Sequence, residues 1–448
     1  MLTTRTIAIW GMGVFGQKML IALKEYYSDV YSVAALFDRS PKKSGTEYEG
    51  LLIKEPSEIK KEYAAGLFEA VMVCIKFGDA RTEAVRSLQE WGIPLFYPGT
   101  EDSFTDHTQF EQTESPSYQI DQKGYDVWEF TNIFGIKALH FDSESMFLFN
   151  GEGKVLLEQW DAYPEDEQYA LRLYFPIRFD QPPAEKVMLR GEWCILTKLF
   201  AGNYWHFVNE GMDCVALLEG AGYTGKYLVP DCDFNKELLV IMGIDENRIC
   251  SAAGLDNETV YQFEKLVFCH QRKRNYRESA DVLSRVGDRL KKHLKTDSSL
   301  PKRIHIKRIG SRKLLNGEEI SSQYGFVTII PEEYSVKEQM EFFYNADIVL
   351  SEHGANSTNY VCMRPGSVFV ETFNNSWKYP FNLYGTYACG IHYLPVSDLK
   401  PADNDPQGKT KDYKIDETML RTSIENAILI SKGDKLLYDK SIRNHSGI

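Results

Sequence analysis

Apolar and polar positions along the first hundred residues alternate in blocks that read strand, helix, strand. Residues 6–10 form an apolar run that stops at a glycine, and residues 14–26 carry helical spacing. Strands are predicted over 33–37, 70–75 and 93–96, with a second helix over 80–91. This predicts a small parallel α/β unit over 1–100. Residues 101–125 are polar with few aliphatic anchors and read as a linker. The span 126–300 is mixed. Strands are predicted there over 193–200, 227–229 and 265–269, and helices over 204–218, 238–242 and 279–294. Over 301–448 the alternation sharpens. Strands fall at 303–308, 326–330, 348–350, 368–371 and 391–394, and helices at 318–324, 335–345, 357–363, 381–389 and 417–431. Ser335 and Glu338 form an S-x-x-E capping box. Such repeated alternation predicts a doubly wound sheet.

Composition narrows the class. A chain of 448 residues predicts two or three domains, and 43% hydrophobic with 26% charged residues is globular. The net charge of −13 argues against nucleic acid as the main partner, although a few local arginines could still hold a small phosphate ligand. Eight cysteines are dispersed without a CxxC pair, so neither a zinc site nor a disulfide framework is expected. The expected compartment is the reducing cytoplasm. The opening MLTTRTIAIWGMG lacks a signal-peptide layout, and no apolar run approaches the roughly 20 residues of a membrane span. Any work at a membrane is expected to go through a partner or a surface patch.

Near the start, Gly11, Gly13 and Gly16 spell GxGxxG between a predicted strand and helix, and Asp38 ends the next strand. Glycines there let a pyrophosphate approach the helix N-terminus, and a carboxylate at that strand end can take a ribose. The alternative is a tight strand-to-helix turn that binds no nucleotide.

The C-terminal span offers a different chemistry. Arg308 ends a predicted strand and Arg312 lies in the loop beyond, at the edge of a parallel sheet where ligands bind. Arginine forks match phosphate oxygens, though a solvated basic patch looks the same in sequence. The run SEHGANSTN, residues 351–359, joins a strand to a predicted helix and offers backbone N–H groups for a phosphate. His353 could add a hydrogen bond or a proton, or could be a capping histidine. Glu371 at a strand end suits a ribose diol or is an ordinary surface acid. Asn203 precedes a predicted helix on which His206 and Glu210, four apart, share a face, suiting a base that deprotonates a hydroxyl. Asp231-Cys232-Asp233 is a D-x-D that could hold a cation but reads as a turn.

Three of these blocks together resemble glycosyltransferase family 61. They are Asn203–Glu210, the paired arginines with Asn316 and Glu319, and the H-G-A run with its later Pro-Gly turn and Glu371. Gly317, Asn356 and Ser357 depart from the family's usual residues. The resemblance implies a GT-B architecture: two Rossmann-like halves, the acceptor side over 126–300 and the donor side over 301–448, preceded here by a small Rossmann-like α/β domain. It implies inversion without a bound metal or other required cofactor. The donor would be a nucleotide-sugar, UDP-linked by expectation, and the acceptor a surface or capsular glycan. Arg308, Arg312, Asn316, His353, Gly354, Ala355, Asn356, Asn359 and Glu371 would bind the donor. Asn203 would sit on the acceptor side, with His206 or Glu210 as base. The terminal helix over 417–431 would pack back on the first half. Competing readings are an NAD-dependent oxidoreductase using the first glycine motif, and a non-catalytic sugar-nucleotide-binding protein.

Overall fold

The computed structural model describes residues 4–26, 28, 31–75, 79–96, 118, 120, 124–139, 144–149, 186–197, 201–256, 259–271, 276–376, 381–397 and 410–433. It divides into two compact units, residues 1–110 with 147–184, and residues 111–146 with 185–448. Residues 101–117 of the expected linker lie outside the described residues.

The first unit carries β1 (Arg5–Trp10), β2 (Tyr31–Phe37), β3 (Glu47–Tyr48), β4 (Leu51–Lys54) and β5 (Ala70–Val73) in the order β3-β4-β2-β1-β5. Helices Val14–Tyr26 and Asp79–Trp91 fall where the apolar spacing predicts them. The strand expected over 93–96 is a single bridge from Leu95 to Val71. Ala8, Trp10, Phe37, Val71 and Leu88 fill the core, with Trp10 stacked on Trp91 at 6.2 Å. Strand order reverses between β1 and β5, on which Gly11 and Cys74 follow.

The second unit holds two sheets. One contains β6 (Tyr125–Leu139), β7 (Glu144–Phe149, whose last three residues belong to the first unit), β8 (Lys186–Ile195), β9 (Lys226–Val229), β10 (Ile249–Ser251) and β11 (Val260–Gln271), ordered β10-β9-β8-β11-β6-β7. The run β10 to β11 is parallel, and β6 joins β11 antiparallel. The other contains β12 (Arg303–Ile306), β13 (Val327–Ile329), β14 (Ile348–Glu352), β15 (Val368–Phe373) and β16 (His392–Ser397), all parallel, ordered β13-β12-β14-β15-β16. Order reverses between β8 and β11 in one and between β12 and β14 in the other. Ligands of open parallel sheets bind at the carboxyl ends of the strands flanking such a reversal.

One apolar core serves both sheets. Cys194, Tyr227 and Val267 share it with Val349, Phe369 and Tyr393. Helix Tyr276–Lys291 contributes Val282, Val286 and Leu290. A Cβ on Gly287 of this helix would lie 2.2 Å from the Val361 carbonyl oxygen, so glycine permits its close approach.

Three local expectations change. The helix expected over 204–218 is two helices, Tyr204–Glu210 and Met212–Gly220, meeting at Gly211. A Cβ on Gly211 would sit 2.8 Å from the Phe207 carbonyl oxygen. The helix expected over 357–363 is a run of 3-10 turns, Ala355–Cys362. Among the described residues the terminal helix Glu417–Ser431 packs on its own sheet, not back on the first half. Its stripe Leu420, Ile424, Ala427 and Ile430 covers Ile348, Leu350, Val368 and Val370, an apolar sheet face that would otherwise meet water. Among the described residues no helix is long and apolar enough to cross a membrane. All eight cysteines are free thiols.

Candidate active site at the reversal of the C-terminal sheet

Two chain segments leave the C-terminal sheet where its order reverses. Arg308 follows β12 by two residues, and His353 follows β14 directly. The Arg308 guanidinium donates to the carbonyls of His353 (3.2 Å) and Ser311 (2.9 Å), and its backbone N–H to Glu352 Oε2 (3.3 Å). Among the described residues no carboxylate takes a hydrogen bond from this guanidinium. Gly354 is what lets it pass, since a Cβ there would lie 1.7 Å from Arg308 Nη1. Gly354 is extended, so the requirement is space rather than dihedral.

Arg312 is half-buried in the left-handed region, at φ 64°, which disfavours side chains. Burial, and then the like charge of Arg308, push its ionisation below the usual arginine range. Two guanidinium groups thus share one neighbourhood, an arrangement suited to a bound anion.

Below them lies a buried polar cluster. His353 Nδ1 is 2.7 Å from Glu371 Oε1, and Glu371 is fully buried. A carboxylate oxygen accepts, so the ring proton is assigned to Nδ1. Asn382 Nδ2 donates to the same oxygen at 2.9 Å and the Tyr393 hydroxyl donates to Oε2 at 2.6 Å. Burial, then the Glu371 carboxylate, hold the Tyr393 hydroxyl well above the ordinary tyrosine range. Glu371 therefore is no surface acid and presents no face to a ribose diol. It orients His353. Glu352 Oε1 lies 3.3 Å from Nε2 of fully buried His305, off hydrogen-bond geometry.

Other expected donor contacts are placed differently. Asn316 clamps Ile415, donating to its carbonyl at 2.8 Å and accepting from its N–H at 3.4 Å. Asn359 is buried, and its Oδ1 accepts from the Tyr204 hydroxyl at 2.6 Å. Ser357 Oγ takes the Gly354 N–H at 3.3 Å, so that amide is engaged within the protein. Ala355 and Asn356 remain part-exposed beside His353. Sequence patterns place these residues near one another but do not say which face a ligand.

Helix Tyr204–Glu210 follows β8, at the reversal of the other sheet. Asn203 caps it, its side chain accepting from the N–H groups of Trp205 (3.0 Å) and His206 (3.4 Å). Tyr204, Phe207 and Val208 face the core. Asn209 donates to Thr358 Oγ1 at 2.9 Å. His206 and Glu210 pair on the part-exposed face, Nδ1 to Oε2 at 3.0 Å. Trp205 Nε1 donates to Asn382 Oδ1 at 3.3 Å. A continuous path thus runs from Trp205 through Asn382 and Glu371 to His353. Asn382, Tyr393 and His305 carry no motif, and only their tertiary positions reveal them. Asp231 takes the Ser251 hydroxyl at 3.0 Å while Asp233 opens helix Asp233–Ile241, a strand-to-helix turn.

In the first unit Gly11 sits at φ 108° and Gly16 packs so closely that its Cβ would lie 1.9 Å from the Gly11 carbonyl oxygen. Gly13 would meet nothing within 4 Å. Asp38 is turned inward: it accepts from the N–H groups of Met12 (2.7 Å) and Ser40 (2.8 Å), with Lys43 at 3.3 Å.

Residues 204–370 match the family model described as Glycosyltransferase 61. The match supports that family and, at the level of class, a transferase. It runs from Tyr204 to Val370 and stops just short of Glu371, Asn382 and Tyr393. No curated protein sequence matches the chain. Among solved structures, RSP, a Rex-family repressor, is 19% identical with a TM-score of 0.19, over 20% of this chain and 42% of that one. UDP-D-quinovosamine 4-dehydrogenase from Vibrio fischeri is 17% identical with a TM-score of 0.20, over 22% of this chain and 83% of that one. The chain thus spans less than half of the repressor's length, and likenesses of this size carry no argument.

Proposed function

We propose that the second unit is an inverting glycosyltransferase of GT-B type, moving a sugar from a nucleotide-sugar to a hydroxyl of a surface or capsular glycan. The observation that carries the reading is the hydrogen-bonded path from Trp205, the neighbour of His206, through Asn382 and Glu371 to His353 beside Arg308. Each histidine stands by the reversal of one sheet. Arg308 and Arg312 neutralise charge on the departing diphosphate. Glu210 holds the proton on His206 Nδ1, so Nε2 is the nitrogen that takes the acceptor's proton. The acceptor oxygen bonds to the anomeric carbon as the bond to the diphosphate breaks, and the leaving group departs as the anion. The two arginines carry that charge, so the scheme needs no metal ion. His353, its Nδ1 proton held by Glu371, presents Nε2 to accept from a hydroxyl of the sugar.

The test is a donor panel with nucleoside diphosphate release as readout, repeated with EDTA. A UDP-sugar is the expected donor. Binding of sugar nucleotides without turnover on any acceptor would favour the non-catalytic reading instead. The first unit's glycine turn keeps a second reading open, because Gly13 leaves room for a phosphate. NADH titrated against nicotinamide fluorescence tests it, and no binding at high concentration ends it.

A further inference from the structure

Asn382 precedes helix Leu383–Ala388 and is 1% exposed. Its Oδ1 accepts from Trp205 Nε1 at 3.3 Å and its Nδ2 donates to Glu371 Oε1 at 2.9 Å. Glu371 in turn holds His353. The Trp205 ring meets that of its neighbour His206 edge-on, centroids 5.1 Å apart. One buried amide therefore touches the His353–Glu371 pair directly and the His206–Glu210 pair through Trp205, from beyond the family-matched segment. We infer that Asn382 is a positioning residue for the transfer, setting His353 and the helix bearing His206 at their working separation. The inference rests on the glycosyltransferase reading of this site.

The chemistry of the bridge is restrictive. An indole N–H only donates and a carboxylate oxygen only accepts. The side chain between them must accept at one end and donate at the other. A primary amide does so in one orientation; reversed, it would set N–H against N–H and oxygen against oxygen. Leucine fills similar space but takes away the acceptor of the Trp205 N–H and removes one donor from Glu371. An ionised carboxylate would place two anions in contact. A protonated one restores the pattern, its O–H donating to Glu371 and its carbonyl accepting from Trp205. The titratable groups around the bridge include Glu371, His353 and Tyr393 on the sheet side, His206 and Glu210 on the helix side, and Tyr360, whose hydroxyl lies against Gly385. Tyr413 feels Glu352, Arg308 and Glu371 in the same neighbourhood.

The test compares the full-length wild type with Asn382→Leu and Asn382→Asp. Nucleoside diphosphate release gives kcat and KM from about pH 5 to pH 8. Nitrogen-15 NMR of histidine-labelled protein reads the His353 tautomer without requiring turnover. Asn382→Leu is expected to lower kcat and kcat/KM together by about 10²-fold and to alter the His353 tautomer signal. Asn382→Asp is expected to be as impaired at the alkaline end and to recover relative to the wild type as pH falls, a convergence Asn382→Leu lacks. A merely structural amide would lower thermal stability while leaving kcat per folded molecule, its pH profile and the His353 signal unchanged. That result overturns the inference. A wild type inert on every donor would sink the transferase reading on its own. The NMR comparison would then decide the bridge: an altered His353 tautomer in Asn382→Leu supports it, and an unaltered one removes it.

Discussion

The chain contains two parallel-sheet edges of the same topological kind that differ in what the side chains do there. Between β1 and β5, glycines set the geometry. Gly11 takes a left-handed turn, Gly16 packs against it, and Gly13 leaves space. The acid that could read a ribose, Asp38, instead holds the amides of Met12 and Ser40. Between β12 and β14, the glycine serves a side chain. Gly354 makes room for Arg308, and a buried cluster behind it fixes His353. The shared topology supplies a slot. Whether charge points into the slot or is satisfied within the protein decides what chemistry it can do.

The strongest way to break the comparison is Arg308→Ala. It is expected to cut nucleoside diphosphate release by about 10²–10³-fold while the melting temperature stays near wild type. Full activity in a folded variant would remove the central role of this edge. Next, Glu371→Ala would strand the donors of His353, Asn382 and Tyr393 in a buried site. Denaturant unfolding should show a loss of about 3 kcal/mol, and a change within error would mean the cluster is loosely held. Gly354→Ala sharpens the point, because its Cβ must displace the Arg308 guanidinium. The expected loss is about 10²-fold in kcat/KM, with stability nearly kept. Steady-state kinetics would count against the steric account if rates matched wild type. The smallest effect belongs to the first edge. Asp38→Ala should cost about 1–2 kcal/mol through the unpaired Met12 and Ser40 amides. If wild type bound NADH and this variant lost it, the first edge would be a working site and the contrast would fail.

Much of the C-terminal sheet was legible in the sequence. Its strands are short, apolar and separated by helices, and the Ser335–Glu338 box forms as the spacing predicts. The middle span was not. Its long strand β6, YDVWEFTNIFGIKAL, interleaves polar with apolar residues and pairs antiparallel with β11 over most of its length, a partner that lies more than a hundred residues away in the chain. The HGA segment read as a helix because its composition allows one. Packing of Tyr360–Met363 into the shared core accompanies the tighter 3-10 turns instead.

By itself, the sequence determined the order of elements and the residue types gathered at the sheet ends: the arginines, the two histidines, and the glutamates four and eighteen positions beyond them. Spacing along a helix is enough to pair His206 with Glu210, because i and i+4 share a face. No such local rule joins His353 to Glu371, or Asn382 to Trp205, 177 positions away. The first exists because β14 and β15 lie side by side in one sheet, the second because two sheets share one core, and burial then requires each enclosed donor and acceptor to find a partner. The tertiary structure also decided which acids meet solvent and which hold a neighbour in place, turning Glu371 from a candidate ribose ligand into the support of His353.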